Sequence, residues 1–227
     1  MLNISNNILQ KIFAILLSIA ISPLFILVGV LVLCFSGRPI IYTQERYGKN
    51  FNKFKILKFR TMKLNNSDAI TDYNDIRITK IGYLLRACKL DELPQLINII
   101  RGDMCFIGPR PELIKIIDQK KDLFAFLFKI KPGITDISSI IFKNESEIFR
   151  TIPMIHYESI ILPIKIQLIK IHTDKRSRIN DFLIIILTLF SFFNHNLTML
   201  IIKKIYLNDI DIEFRTKLNN VLSKQIF

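Results

Sequence analysis

The residues best suited to chemistry in this chain are two adjacent carboxylates, Asp91 and Glu92, in the run Leu90-Asp91-Glu92-Leu93-Pro94-Gln95-Leu96. An arginine between prolines follows closely, in Gly108-Pro109-Arg110-Pro111. Further cations lie upstream: Lys58 and Arg60 in Lys58-Phe59-Arg60-Thr61-Met62, then Arg77 and Arg86. A nucleophilic carboxylate among phosphate-binding cations is what displacement at phosphorus needs, because the charge to be stabilised lies on phosphoryl oxygens. Asp91-Glu92 also reads as an ordinary helix start, with Asp91 as N-cap, Glu92 facing the dipole and Pro94 in the first turn. The two readings are compatible, since a carboxylate at a helix N-terminus keeps a low pKa and stays available as a nucleophile. Proline restricts its own φ and the residue before it, so Arg110 sits either on a stiff loop suited to bidentate phosphate binding or on a plain surface turn. Lys58, Arg60, Arg77 and Arg86 could equally form a solvated basic face. Neither Gly-x4-Gly-Lys-Ser/Thr nor Gly-x-Gly-x-x-Gly occurs, so a nucleotide would be held by side chains and isolated loops.

The elements that must position these residues are short. Gly37 to Met62 reads as strands and turns: Ile40-Ile41-Tyr42, a turn at Tyr47-Gly48-Lys49-Asn50, then Phe54 to Phe59. Asn65 to Asp75 is polar and reads as a loop. Ile81 to Ala87 and Pro94 to Ile100 read as helices, with Gly102 capping the second. Leu113 to Lys129 is expected to form another helix, and Lys131-Pro132-Gly133 a turn. Phe182 to Phe193 is an apolar run of only ~18 Å as a helix. Asn194-His195-Asn196 interrupts it, which suits a helix lying in a membrane interface or packed on the domain.

Ile12 to Phe35 carries no charge over 24 residues. A straight helix of that length would measure ~36 Å, enough to span a bilayer. Ser22-Pro23 stands at its middle, however, and Pro23 removes a donor and crowds the carbonyl of Ile19. A kinked spanning helix and a re-entrant helix both fit this pattern. No small-residue cleavage pattern follows, so a signal peptide is not expected. Arg38, Arg46, Lys49, Lys53, Lys55, Lys58 and Arg60 follow the segment, against Lys11 alone before it, which places the polar part in the cytosol.

The 227 residues allow one ordinary domain plus an anchor, and the formal net charge is +13. That charge suits nucleic acid, anionic lipid headgroups or phosphorylated substrates alike, and apolar content of 50% with mean hydropathy of +0.34 favours the lipid reading. Cys34, Cys88 and Cys105 are scattered, as are His156, His172 and His195, which argues against a disulfide framework and a zinc cluster.

The combination resembles the bacterial sugar transferases, monotopic phosphoglycosyl transferases that act on polyprenol phosphate. The resemblance runs from the apolar helix with its Ser22-Pro23 break through Gln44-Glu45-Arg46-Tyr47-Gly48 and Lys58 to Met62. It is strongest from Asp75-Ile76-Arg77-Ile78-Thr79 through Gly82, Arg86 and Leu90 to Leu96. Asn98, Gly102-Asp103-Met104, Gly108 to Glu112 and Lys131-Pro132-Gly133-Ile134-Thr135 complete it, with Asp181 before the later apolar run. The resemblance implies transfer of a sugar 1-phosphate from a UDP-sugar to polyprenol (undecaprenol) phosphate through an aspartyl phosphosugar, with UMP released at the start of surface-glycan assembly. It implies Asp91 as nucleophile, Glu92 as its dyad partner, Mg2+ held near both, and Lys58, Arg86, Arg110 and Asp181 in substrate binding; Arg60 and Arg77 are added to that expected set as the neighbouring upstream cations. It also moves the N-terminal helix to the re-entrant form, at the cytosolic face of a bacterial inner membrane, with downstream glycosyltransferases as candidate partners. Two departures stand out. The N-terminal Lys-Arg-x-x-Asp pattern lacks its aspartate here (Gln10-Lys11-Ile12-Phe13-Ala14), and Asp136-Ile137-Ser138-Ser139 replaces Gly-x-x-Gln after Ile134-Thr135.

The expected fold is mixed α/β and mostly helical. It comprises a re-entrant membrane helix over 1–36, a catalytic domain with short strands over 37–180, and interfacial helices over 181–227. A basic nucleic-acid-binding protein is the first rival, but it lacks a recognised motif and leaves the apolar segment unexplained. An inactive membrane scaffold leaves the dyad and the proline-flanked arginine unexplained.

Overall fold

The computed structural model describes residues 4–63, 75–143, 157–208 and 210–222. Residues 65–74 of the loop expected over 65–75, and His156, lie outside them. The architecture is mixed α/β and mostly helical, with two small two-stranded sheets. The chain divides into two compact units.

In the first unit, α1 (Ile4–Ala20) and α2 (Ser22–Ser36) are separated by Ile21 and bent by 65°. Pro23 sits in the first turn of α2, where its missing N–H costs nothing, so the residue that ends one helix starts the next. One side of this pair packs on the domain. Ala14 lies against Ile56, Leu96, Ile99 and Met104, and Val28 and Val32 lie against Phe59 and Leu85. The other side leaves Ile12, Leu16, Ile19, Ile26, Leu27 and Val30 exposed. Neither helix alone is long and apolar enough to cross a membrane, although the bent pair passes that test together. The position of the family pattern's aspartate is Ala14, buried in the apolar contact with the domain, and two side chains nearby tie α1 down: Gln10 Oε1 accepts from Phe106 N at 3.1 Å, and Lys131 Nζ donates to Asn7 Oδ1 at 3.5 Å.

β1 (Ile41–Tyr47) and β2 (Lys53–Phe59) form an antiparallel hairpin in the register Ile41↔Phe59 to Tyr47↔Lys53. α3 (Lys80–Ala87) is capped by Thr79, whose hydroxyl accepts from Gly82 N. α4 (Gln95–Arg101) ends at Gly102 in the left-handed region, the cap expected from the sequence. β3 (Cys105–Ile107) pairs with β4 (Gly133–Thr135), so Gly133 opens a strand where a turn is expected.

The expected helix over 113–129 is broken into α5 (Ile114–Gln119), α6 (Lys121–Phe124) and a 3-10 turn at Leu127–Lys129. The physical reason lies in what each piece packs on. Residues up to 119 and from 125 belong to the first unit, where Phe128 stacks on Phe51 at 3.8 Å. Residues 120–124 belong to the second, where Lys120 pairs with Glu158 at 3.3 Å. One straight helix has a single apolar stripe and cannot serve both.

The second unit is helical: α7 (Ile137–Ile141), a π turn at Tyr157–Ile161, α8 (Leu162–Asp174), α9 (Arg178–Phe190), α10 (His195–Tyr206) and α11 (Ile212–Leu222). Asp136, one of the departures from the family pattern, is the N-cap of α7 and accepts from Ser139 N at 2.7 Å. Asn194 caps α10 through Leu197 N, the interruption expected from the sequence. Phe182, Ile186 and Leu189 leave an apolar stripe exposed along α9, and Phe193 continues it.

Candidate active site

Asp91 and Glu92 lie in a 3-10 turn, Leu90–Glu92, entered through Lys89 at φ 56. A left-handed lysine is uncommon, and here it turns the chain so that both carboxylates face inward. Asp91 is only 6% exposed and Glu92 8%. Asp91 is therefore not the helix cap that its position suggests; the residue preceding α4 is Pro94.

Glu92 gathers the cations. Arg110 donates from Nη1 to Oε2 at 3.1 Å and from Nη2 to Oε1 at 2.5 Å, while Lys58 Nζ lies 3.4 Å from Oε1. Burial works against the charge on Glu92, yet Arg110 and Lys58 outweigh it and hold the carboxyl well below the usual range. Glu92 in turn raises the Arg110 guanidinium further above its ordinary value. Burial pushes Lys58 down to about 8, against the pull of Glu92.

Asp91 behaves differently. Its Oδ1 is buried and has no hydrogen-bond partner among the described residues. Burial first, and the Glu92 charge second, raise its pKa, against the low value expected for a helix-capping carboxylate. The arrangement sets one carboxylate tied to cations beside a second that is more basic and whose Oδ1 has no hydrogen-bond partner among the described residues.

Two sequence-predicted cations serve other partners. Arg60 donates to the backbone oxygen of Ser36, at the end of α2. Arg77 forms a bidentate pair with Asp75, Nε to Oδ1 at 2.8 Å and Nη2 to Oδ2 at 2.5 Å. Arg86 donates from Nε to Thr61 Oγ1 at 2.9 Å and feels the Asp91 and Glu92 charges. Asp181 lies in the second unit, on the first turn of α9, where its Oδ2 accepts from Arg176 Nε at 3.1 Å and His172 Nε2 stands 3.6 Å from its Oδ1.

Asn98 is a positioning residue whose role the sequence reading did not assign. It is fully buried in α4, accepts from Leu57 N at 3.0 Å and donates to Lys55 O at 2.8 Å, so it fixes β2, and with it Lys58, against the helix that follows the dyad. The available signal was an asparagine, a poor helix former, flanked by isoleucines. Gly108 and Gly133 approach so closely that a Cβ on Gly133 would meet Gly108 N at 2.2 Å. Gly133 N donates to Pro109 O at 3.0 Å, which seats the Arg110 loop.

For a divalent cation, no cluster of three carboxylate, histidine or cysteine ligands exists among the described residues. Mg2+ is ordinarily held by one or two carboxylates with substrate phosphates and water, and Asp91 Oδ1 is an available oxygen of that kind. The residues present fit such an ion.

Comparison with known proteins gives the family. The description "Bacterial sugar transferase" matches residues 1–195, and the chain belongs to that family. It is 39% identical over 131 residues to the UDP-glucose:undecaprenyl-phosphate glucose-1-phosphate transferase of Klebsiella pneumoniae, covering 55% of this chain and 28% of that protein. It is 37% identical over 160 residues to the exopolysaccharide production protein ExoY of Sinorhizobium fredii, covering 63% of this chain and 71% of that protein. A third relative is the UDP-N-acetylgalactosamine-undecaprenyl-phosphate N-acetylgalactosaminephosphotransferase of Aeromonas hydrophila, 34% identical over 126 residues, 53% of this chain and 30% of that protein. The chain thus spans under a third of the length of two of these relatives.

Proposed function

We propose that this chain transfers a sugar 1-phosphate from a UDP-sugar to polyprenol phosphate at the cytosolic face of a bacterial inner membrane, starting the assembly of a surface glycan. The observation that carries the reading is the buried Oδ1 of Asp91, without a hydrogen-bond partner among the described residues, beside a Glu92 that holds Lys58 and Arg110 in place. Asp91 attacks the sugar-bearing phosphorus, the bond from that phosphorus to the bridging oxygen breaks, and UMP departs with the electron pair. An oxygen of polyprenol phosphate then attacks the aspartyl phosphosugar, forming the lipid diphosphosugar and freeing Asp91. Lys58 and Arg110 face the charge that develops on the phosphoryl oxygens, and Arg86 assists from α3. A bound Mg2+ would neutralise the diphosphate, and Asp91 with Glu92 are the residues to hold it.

The α1–α2 pair supports a re-entrant insertion. Its outward face is apolar. Its two arms of 17 and 15 residues each fall short of the ~30 Å hydrocarbon thickness. The apolar stripe on α9 suits an interfacial position. Such seating brings the phosphate of a lipid to a soluble nucleotide sugar. A scaffold or nucleic-acid-binding protein would have no use for an unengaged buried carboxylate, whose desolvation costs free energy.

The test is UMP release by the detergent-solubilised protein from a panel of UDP-sugars, with and without undecaprenol phosphate. One equivalent of UMP per enzyme without acceptor, and turnover with it, are expected. Asp91→Asn should abolish both and Glu92→Gln should impair both severely. Near-normal turnover by well-folded Asp91→Asn would overturn the mechanism.

A further inference from the structure

Gln95 is 1% exposed, and its amide nitrogen has no hydrogen-bond partner among the described residues. It stands four residues after Asp91 on one right-handed run, in which Leu93 N donates to Leu90 O, Leu96 N to Leu93 O and Ile97 N to Pro94 O. Those bonds are of the i→i−3 type, so the two residues lie within about one turn of each other along the chain. This short segment thus carries a buried acceptor, Asp91 Oδ1, and a buried donor, Gln95 Nε2, neither with a hydrogen-bond partner among the described residues. Leaving both unpaired costs stability, and a protein retains that cost where a third group is to come between them.

We propose that Gln95 is a further catalytic residue, whose amide donates to a non-bridging oxygen of the phosphoryl group that Asp91 attacks. The inference rests on the nucleophilic reading of Asp91. A phosphoryl group is complementary to such a pair: its phosphorus accepts the carboxylate oxygen, and its equatorial oxygens, gaining charge at the transition state, accept the N–H. Lys58 and Arg110 supply charge, but both are drawn to Glu92. Gln95 adds a neutral donor without a competing carboxylate bond. No proton is transferred by it; the amide only orients and stabilises.

Gln95→Met keeps the length and removes the donor. The expected result is a fall in kcat of about 10²–10³-fold with KM for the UDP-sugar little changed, the signature of a bond made at the transition state. Because an unpaired buried amide is also removed, Tm should stay level or rise by roughly 2–4 °C. Gln95→Asn, which withdraws the donor by one methylene, should fold normally and retain an intermediate kcat. An unchanged kcat in Gln95→Met overturns the proposal. So does a lowered Tm, which an amide satisfied within the fold would produce. If the wild type itself releases no UMP from any UDP-sugar, the underlying functional reading fails and this inference with it; normal wild-type release with an unaffected variant sinks this inference alone.

Discussion

At Glu92 a single carboxylate organises the charge of the site. Both its oxygens accept from Arg110, and Lys58 approaches one of them. The planar fork of arginine makes two bonds that an ammonium cannot reproduce. Arg110→Ala is expected to lower kcat/KM by roughly 10²–10³-fold, and Arg110→Lys to recover only part of it. Steady-state kinetics checks this, and full recovery by lysine would show that charge alone matters. His172 offers a second prediction at this scale. Burial lowers its pKa, opposed by the charges of Asp181 and Asp136, with Arg176 adding to the lowering. The folded state thus takes up the proton later than the unfolded chain does. Above the unfolded value of about 6.5 the residue is neutral in both states and stability is unaffected. As pH falls below that value, the unfolded chain protonates first and stability drops, until the folded pKa is passed. Urea midpoints between pH 7.5 and 5 should decline in the wild type and decline less in His172→Gln.

Among the elements, the close approach of β3 and β4 decides where the Arg110 loop sits. Gly108 and Gly133 leave no room for a side chain between backbones, and the obstructing atoms are main-chain, which cannot rotate away. Gly133→Ala should cost about 1–3 kcal/mol in stability, as other forced overpacking does. It should also reduce kcat/KM, since the bond from Gly133 N to Pro109 O holds the loop. Denaturant unfolding and kinetics on the same preparation test both. Elements with a local signature were legible beforehand: most of α3, expected over 81–87, and α4, with Gly102 after it. The division of 113–129 into three pieces was not, because both outcomes share one residue pattern and differ only in what each piece packs on.

For the molecule as a whole, the proposed re-entry rests on the 65° bend between α1 and α2. Replacing Ser22→Ala with Pro23→Leu should restore the missing hydrogen bond and straighten a helix long enough to span. In the native sequence, Asn3→Cys in a background without the other cysteines should label only from the cytosolic side. In the straightened variant it should label from outside, with activity reduced as the domain loses its seating. Outside labelling in the native sequence would rule out re-entry.

The sequence by itself carried the chemistry-bearing residue types, the break at Pro23, the basic flank and the family. Each of these is written in neighbouring residues, and a local signal survives without coordinates. Tertiary structure alone decided which cations serve the dyad. Arg110 reaches Glu92 across 18 positions, whereas Arg60 turns to the end of α2 and Arg77 to Asp75. It also decided that Asp91 is buried and its pKa raised, where its place before a helix suggested the opposite. The reason is that ion pairing and desolvation depend on distance and exposure in three dimensions, and a basic residue looks the same in the sequence whichever carboxylate it meets.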